Sequence, residues 1–509
     1  MSTLRTILTF FALHCYVSST ALRIDFGKRT HIPRLSKRDA GTVEIPAQLN
    51  LRYTVAGSYF ANISIGNPPQ TVEVQLDTGS PDLGINVQQA CQNKCVGGTF
   101  DPSESSSYKT TYPDLFTISY VNNAYLVGDF ATDDVSIGDA NLKNMTLGIS
   151  KNSTLPHNIM GLNPTVVVSN STIDSILPSL HTPLEALVSS GAIQSRLFSV
   201  WLNDLSAARG SILFGGIDES KFNQTLGLTQ LDMLENAEKD AYLVYQVPLT
   251  QMSLNLGSQS QNITLPSSPT PSERPWLPVT IDTGADTALL PPDIFAAVTT
   301  HIPNLQKSPQ GYGLPCASAH TSFFTTTSIS WTLGDPKNAS IGITFSLPLS
   351  HFVVPVYNPD GSPITQTVDG QQIEICAFGI QPKTSDVGTN LLGDPFIRAM
   401  YVVFNPDEGK MAFGQPLFGG NVSSSEKVAV GKGEQIPGLS KVQPDKDAQG
   451  DFGSGPRNAT VSATGGAPVA TALSSGASAG MGDLGSTALM FTVGLSTVVA
   501  FVGRPAFGL

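Results

Sequence analysis

Charge is scarce in this 509-residue chain. Asp, Glu, Lys and Arg make up 13% of it, and the 28 Lys and Arg are outnumbered by 40 Asp and Glu. A net charge of −12 with no basic stripe argues against a nucleic-acid partner. Cysteine is scarce too. Of five, Cys15 lies in an apolar N-terminal run, leaving Cys91, Cys95, Cys316 and Cys376. Four cysteines allow three pairings, and nearness in sequence suggests Cys91–Cys95 with Cys316–Cys376. Cys91-x-x-x-Cys95 also has the look of half a zinc site, but no His or Cys cluster supplies the other half, so no metal is expected.

What the chain does have is turn-formers and apolar residues: 47 Gly, 36 Pro, abundant Ser and Thr, and 40% hydrophobic residues. That mixture suits an all-β protein with many turns. The length exceeds one ordinary core, so two domains or lobes are expected.

Both ends read as targeting segments. Arg5 precedes an apolar run from Ile7 to Val17, with small residues at Ser19 and Ala21, which predicts a signal peptide over 1–21. The run is too short to span a bilayer. Residues 22–38 carry six Lys or Arg against Asp25 and end in Lys37-Arg38, which predicts a basic propeptide cut at a dibasic site. Removing residues 1–38 leaves 21 basic and 39 acidic residues, so the propeptide has an acidic body to dock on. Residues 416–486 read as a Ser/Gly/Ala-rich stalk. Small residues around Ser475, a spacer, and an apolar tail over 487–509 match a GPI-attachment signal with a removed tail. A transmembrane helix is the competing reading, but Arg504 interrupts the tail and no basic flank follows it. The expected location is the extracellular face of the plasma membrane or wall, reached through the secretory pathway. Nine N-x-[ST] sequons, at Asn62, Asn144, Asn152, Asn170, Asn223, Asn262, Asn338, Asn421 and Asn458, fit that route.

An internal repeat carries the chemistry. Val74-Gln75-Leu76-Asp77-Thr78-Gly79-Ser80 recurs as Val279-Thr280-Ile281-Asp282-Thr283-Gly284-Ala285. Each is a β-type run ending in Asp-Thr-Gly, where Gly permits a sharp turn that presents the Asp at a strand end. Each is followed much later by two apolar residues and Gly: Ile159-Met160-Gly161 and Leu391-Leu392-Gly393. Two related lobes are implied, over 39–225 and 226–415.

On these motifs the chain resembles the pepsin-like aspartic proteases, and with its stalk and tail it is similar to their fungal GPI-anchored, yapsin-type members. The resemblance covers about Leu51 to Gln415. It includes Ile65-Gly66-Asn67-Pro68-Pro69-Gln70, Phe100-Asp101-Pro102-Ser103, Leu213-Phe214-Gly215-Gly216 and Leu392-Gly393-Asp394-Pro395-Phe396. It implies a bilobal all-β fold with the site between the lobes, and the two disulfides named above. It implies an aspartic endopeptidase in which Asp77 and Asp282 share a proton and activate a water, with no metal or cofactor. Thr78, Gly79, Ser80, Thr283 and Gly284 would support the pair. Tyr120 is expected as the tyrosine of a flap hairpin, with Tyr125 as the alternative. Peptide or protein substrates and a monomer are expected. Two departures stand out. Gly84 replaces the Trp that usually bonds the flap Tyr, which predicts a less restrained flap. Ala285 replaces the usual Ser or Thr after the second Asp-Thr-Gly, with Thr287 as a possible substitute donor. These departures leave a non-catalytic binding protein of the same fold as the alternative function.

Overall fold

The computed structural model describes residues 58–440 and the backbone of 22–28. Within that span it leaves out 93, 121–123, 164–180, 206–208, 235–244, 267–275, 309–310, 339, 359–361, 385–387 and 419–426. The described residues form sheets of thirteen, eight, five and two strands. Their helices are short, the longest being Pro292–Thr299. This is the all-β, two-lobed architecture expected.

The first hairpin shows how sequence makes these strands. Tyr59–Ile65 and Gln70–Asp77 pair in register from Phe60↔Gln75 to Ile65↔Gln70. Gly66 takes a left-handed φ of 91° at the turn, which favours a residue without a Cβ. A Cβ there would also lie 2.8 Å from Ser105 Oγ. The last four residues of Gln70–Asp77 are all buried, because neighbours cover both faces of the strand.

The lobes meet through strands distant in sequence. Tyr401–Asn405 pairs with Phe198–Trp201 on one side and Lys410–Gly414 on the other. Phe198 and Phe404 stack at 4.6 Å, and Tyr245 meets Phe404 edge-on at 4.6 Å. Leu22–Lys28, at the start of the expected propeptide, is a strand in this sheet. It runs antiparallel to Arg209–Phe214 and touches the first hairpin at Gly27↔Phe60.

The packed body continues past Gln415, where the sequence reading ended the second lobe and began a stalk. Lys427–Ala429 pairs with Gly216–Asp218. Ser195 Oγ donates to the Val430 carbonyl at 2.6 Å, and Leu228 N donates to the Gly438 carbonyl at 2.7 Å. Val430 and Ile436 are buried in a cluster with Trp201, Phe222 and Tyr401. The packed body therefore reaches about Ser440 among the described residues. Sparse apolar residues in a polar segment show no periodicity, so only the partner strand reveals this strap.

Both disulfides form: Cys91–Cys95, with Cα atoms 5.1 Å apart, and Cys316–Cys376, with Cα atoms 4.9 Å apart. Asn62, Asn144, Asn152, Asn262 and Asn338 are exposed and Asn223 is partly so. Residues 1–21, Asn170, Asn421, Asn458, Ser475 and the apolar tail lie outside the described residues.

Candidate active site

The repeat builds two nearly equivalent loops. Asp77 ends a strand parallel to Asn158–Gly161, with Asp77 opposite Gly161. Asp282 follows Leu277–Ile281, which runs parallel to Leu391–Leu392. The downstream apolar-apolar-Gly motifs thus lie beside the catalytic-type strands. A Cβ on Gly161 would collide with the backbone at Ser80 and Pro81, and one on Gly393 with the carbonyls of Ala285 and Thr287. Glycine is required there because each loop is packed backbone against backbone.

Four crossing bonds join the loops. Thr78 Oγ1 donates to the Ile281 carbonyl at 2.8 Å and accepts from Thr283 N at 3.0 Å. Thr283 Oγ1 donates to the Leu76 carbonyl at 2.9 Å and accepts from Thr78 N at 3.1 Å. Each hydroxyl is buried with donor and acceptor roles both filled, which makes the junction rigid. Asp77 and Asp282, both fully buried, face each other across Gly284: a Cβ on Gly284 would strike Asp77 Oδ1 and lie 3.1 Å from Asp282 Oδ1.

The two carboxyls are not equal. Asp77 Oδ1 accepts from Gly79 N at 2.8 Å, and Oδ2 accepts from the Ser80 hydroxyl. Asp282 Oδ1 accepts from Gly284 N at 2.8 Å, while Oδ2 has no hydrogen-bond partner among the described residues. Burial pushes Asp77 up to about 6, against the bonds from Ser80 and Gly79. Burial and then the charge of Asp77 push Asp282 well above the usual carboxylate range. The bond from the Ser80 hydroxyl favours the charged form of Asp77, and Asp282, without such a bond among the described residues, favours its neutral form. Thr287 does not replace the hydroxyl missing at Ala285, since its own Oγ1 is buried without a partner.

That asymmetry gives a test. Position 285 stands three residues after Asp282, as Ser80 stands three after Asp77. In Ala285→Thr a hydroxyl can reach the second carboxyl and favour its charged form. The alkaline limb of the kcat/KM pH profile, which reports the carboxyl that must keep its proton, should move down by about half a unit to one unit. An unmoved limb in a variant of normal activity would show that Ala285 does not set the working range.

Tyr120 lies near the two carboxyls. Lys109–Ser119 and Tyr125–Ile137 form a hairpin, and Tyr120 N donates to the Ala124 carbonyl at 2.8 Å; the tip, 121–123, is outside the described residues. Tyr120 is buried, and its hydroxyl is pushed well above its ordinary range by burial, then by Asp77 and Asp82. It is the tyrosine next to the carboxyls; Tyr125 is only partly buried. The hydroxyl of Tyr120 has no hydrogen-bond partner among the described residues, which fits the loss of Trp at Gly84.

The flap is nevertheless held. Gly84 and Gly148 pair directly, and the Phe116 ring from the flap hairpin lies over both. A Cβ on Gly84 would sit 3.1 Å from Leu126 Cδ2 and 3.4 Å from Phe116 Cζ. Apolar packing stands where the family resemblance would place the Trp that Gly84 replaces. Phe116→Ala should cost about 3–5 kcal/mol in denaturant unfolding, because Phe116 is fully buried. A loss under 1 kcal/mol would show that the ring does not anchor the flap.

Asp82, partly accessible but with its carboxyl packed in, is pushed up to about 6 by burial. Asp129 is paired with Lys151 at 2.7 Å. Phe116 escaped prediction, since it lies in no motif.

A family model described as "Eukaryotic aspartyl protease" matches residues 58–416, more than half of the chain. The chain belongs to the eukaryotic aspartyl protease family. It is 31% identical over 422 residues to the "Probable aspartic-type endopeptidase OPSB" of Arthroderma benhamiae, covering 81% of this chain and 78% of that one. It is 27% identical over 413 residues to "Aspartic proteinase yapsin-3" of Saccharomyces cerevisiae, covering 77% and 74%. It is 26% identical over 401 residues to "Secreted aspartic protease 7" of Candida albicans, covering 71% and 60%. The protein is thus an aspartic endopeptidase, a hydrolase of peptide bonds.

Proposed function

We propose that Asp77 and Asp282 are the catalytic pair of this endopeptidase. The observation that carries the reading is two fully buried carboxyls facing each other across Gly284, one bonded by a hydroxyl and one with a free oxygen. Ionised Asp77 takes a proton from a water between the two carboxyls. Protonated Asp282 donates to the scissile carbonyl oxygen, and the water oxygen adds to the carbonyl carbon. Proton return to the amine nitrogen then breaks the C–N bond. Tyr120 shields the pair from bulk water, which strengthens each charge interaction beneath it. Hydrolysis of an internally quenched peptide, inhibited by pepstatin and falling away at acidic pH as Asp77 gains its proton, tests the assignment. Pepstatin-insensitive hydrolysis would overturn it.

Residues 1–21 are read as a signal peptide and 22–38 as a propeptide whose first strand, Leu22–Lys28, pairs with the body. The stalk and the 487–509 tail support a GPI anchor, with Ser475 as the attachment residue and the enzyme facing outward as a monomer. The exposed sequons are the ones proposed to carry glycans. Similarity to a yapsin and to a secreted protease supports this placement. A GPI-cleaving phospholipase should release active enzyme from cells; retention would favour a membrane span.

A further inference from the structure

Gln75 is out of place in its strand. Val74 and Leu76 on either side are buried apolar residues, and Gln75 itself is fully buried. A buried amide is costly unless both of its ends are bonded. Here both are, and the bonds lead across the molecule. Gln75 Nε2 donates at 2.9 Å to the carbonyl of Gly284 in the other half of the repeat. Gln75 Oε1 lies 2.7 Å from His157 Nε2. The Gly284 carbonyl can only accept, which turns the NH2 of Gln75 toward it and leaves Oε1 for His157. His157 Nε2 therefore carries the proton. His157 is buried, its ring edge-on to Phe60 at 5.4 Å, and its carbonyl accepts from Asn86 Nδ2 at 3.1 Å.

The repeat shows that this arrangement is one-sided. Thr280 is the counterpart of Gln75, two residues before Asp282. Its hydroxyl meets Thr389 Oγ1 at 3.0 Å and Gln246 Nε2 at 3.4 Å, both in its own half. Gly284 is thus held twice: its N–H on Asp282 Oδ1 and its carbonyl on Gln75. We infer that Gln75, fixed by His157, is a positioning residue that sets Asp282 against Asp77 through Gly284. The inference rests on the catalytic pairing proposed above. Without the brace, Gly284 can turn, its N–H bond to Asp282 weakens, and the carboxyl of Asp282 favours its neutral form more strongly.

The test uses full-length enzyme carrying Gln75→Met, which keeps length and bulk but makes no such bonds, and His157→Phe. Each should lower kcat about 10- to 100-fold at little change in KM, as expected for a misplaced reacting group. Each should also move the alkaline limb of kcat/KM upward. The double variant should be no worse than Gln75→Met alone, because both changes cut one chain. His157→Gln, which restores an N–H donor, should recover much of the rate. Wild-type kcat and pH profile in Gln75→Met would overturn the inference, as would losses that multiply in the double variant with an unmoved limb. If Gln75→Met does not fold, His157→Phe decides by the same readings. Failure of the brace alone leaves Asp77→Asn inactive, whereas an active Asp77→Asn overturns the pairing itself.

Discussion

Asp282→Asn is expected to lower peptide hydrolysis by about 10⁴-fold while leaving the fold in place. An amide at this position cannot carry the shared proton to the scissile carbonyl, and the pair supplies both acid and base, so the loss falls at the upper end for proton-transfer groups. Asp77→Asn should be equally inactive, because it removes the charged member. Isosteric replacement keeps the N–H bonds from Gly79 and Gly284, so circular dichroism should be unchanged. Stability supplies an independent reading. Asp77 binds its proton more tightly when folded, at about 6 against 3.8. The wild type should therefore be favoured at low pH and lose stability as pH rises from about 4 through about 6. A shift of that size is worth about 3 kcal/mol, and the displacement of Asp282 adds to the same slope. The double Asn variant should lack this slope in denaturant unfolding. A loss of less than about 100-fold in either purified single variant would sink the assignment, and a wild-type slope in the double variant would remove the buried pair as its cause.

The second large effect concerns the strap. Truncation after Gln415 keeps all but one residue of the span matched to the family model, yet it removes Val430, Ile436 and the main-chain bonds to Gly215 and Leu228. Burying two aliphatic side chains contributes about 1.5–3 kcal/mol each. The loss should therefore be about 3–6 kcal/mol, enough to make the shortened enzyme unfold near physiological temperature. Truncation after Ser440 should leave stability and kcat/KM as in the full chain. Thermal unfolding of the two truncated chains side by side decides the matter; equal midpoints would mean that the strap contributes nothing.

The catalytic-type residues were legible because the chemistry is written twice. Asp77-Thr78-Gly79 and Asp282-Thr283-Gly284 need no tertiary information to be seen as a pair, and their glycines report a close backbone approach that the structure shows at Gly161 and Gly393 as well. The all-β class was legible from turn-formers and short apolar runs, and the disulfide pairing from spacing. Those features depend on local conformation or on repetition along the chain, so residue identity alone determines them. Tertiary structure decided the rest. Only folding brings Phe116 onto Gly84 and Gly148, and so replaces a missing hydrogen bond with packing. Only folding lays residues 427–440 on the first lobe, and carries Gln75 to Gly284, 209 positions away. The inequality of the two carboxyls combines both levels: Ala285 is read from the sequence, but burial and the charge of Asp77 lift Asp282 only once the lobes are joined. Desolvation and through-space charge depend on what surrounds a group, and the chain order does not contain that surrounding.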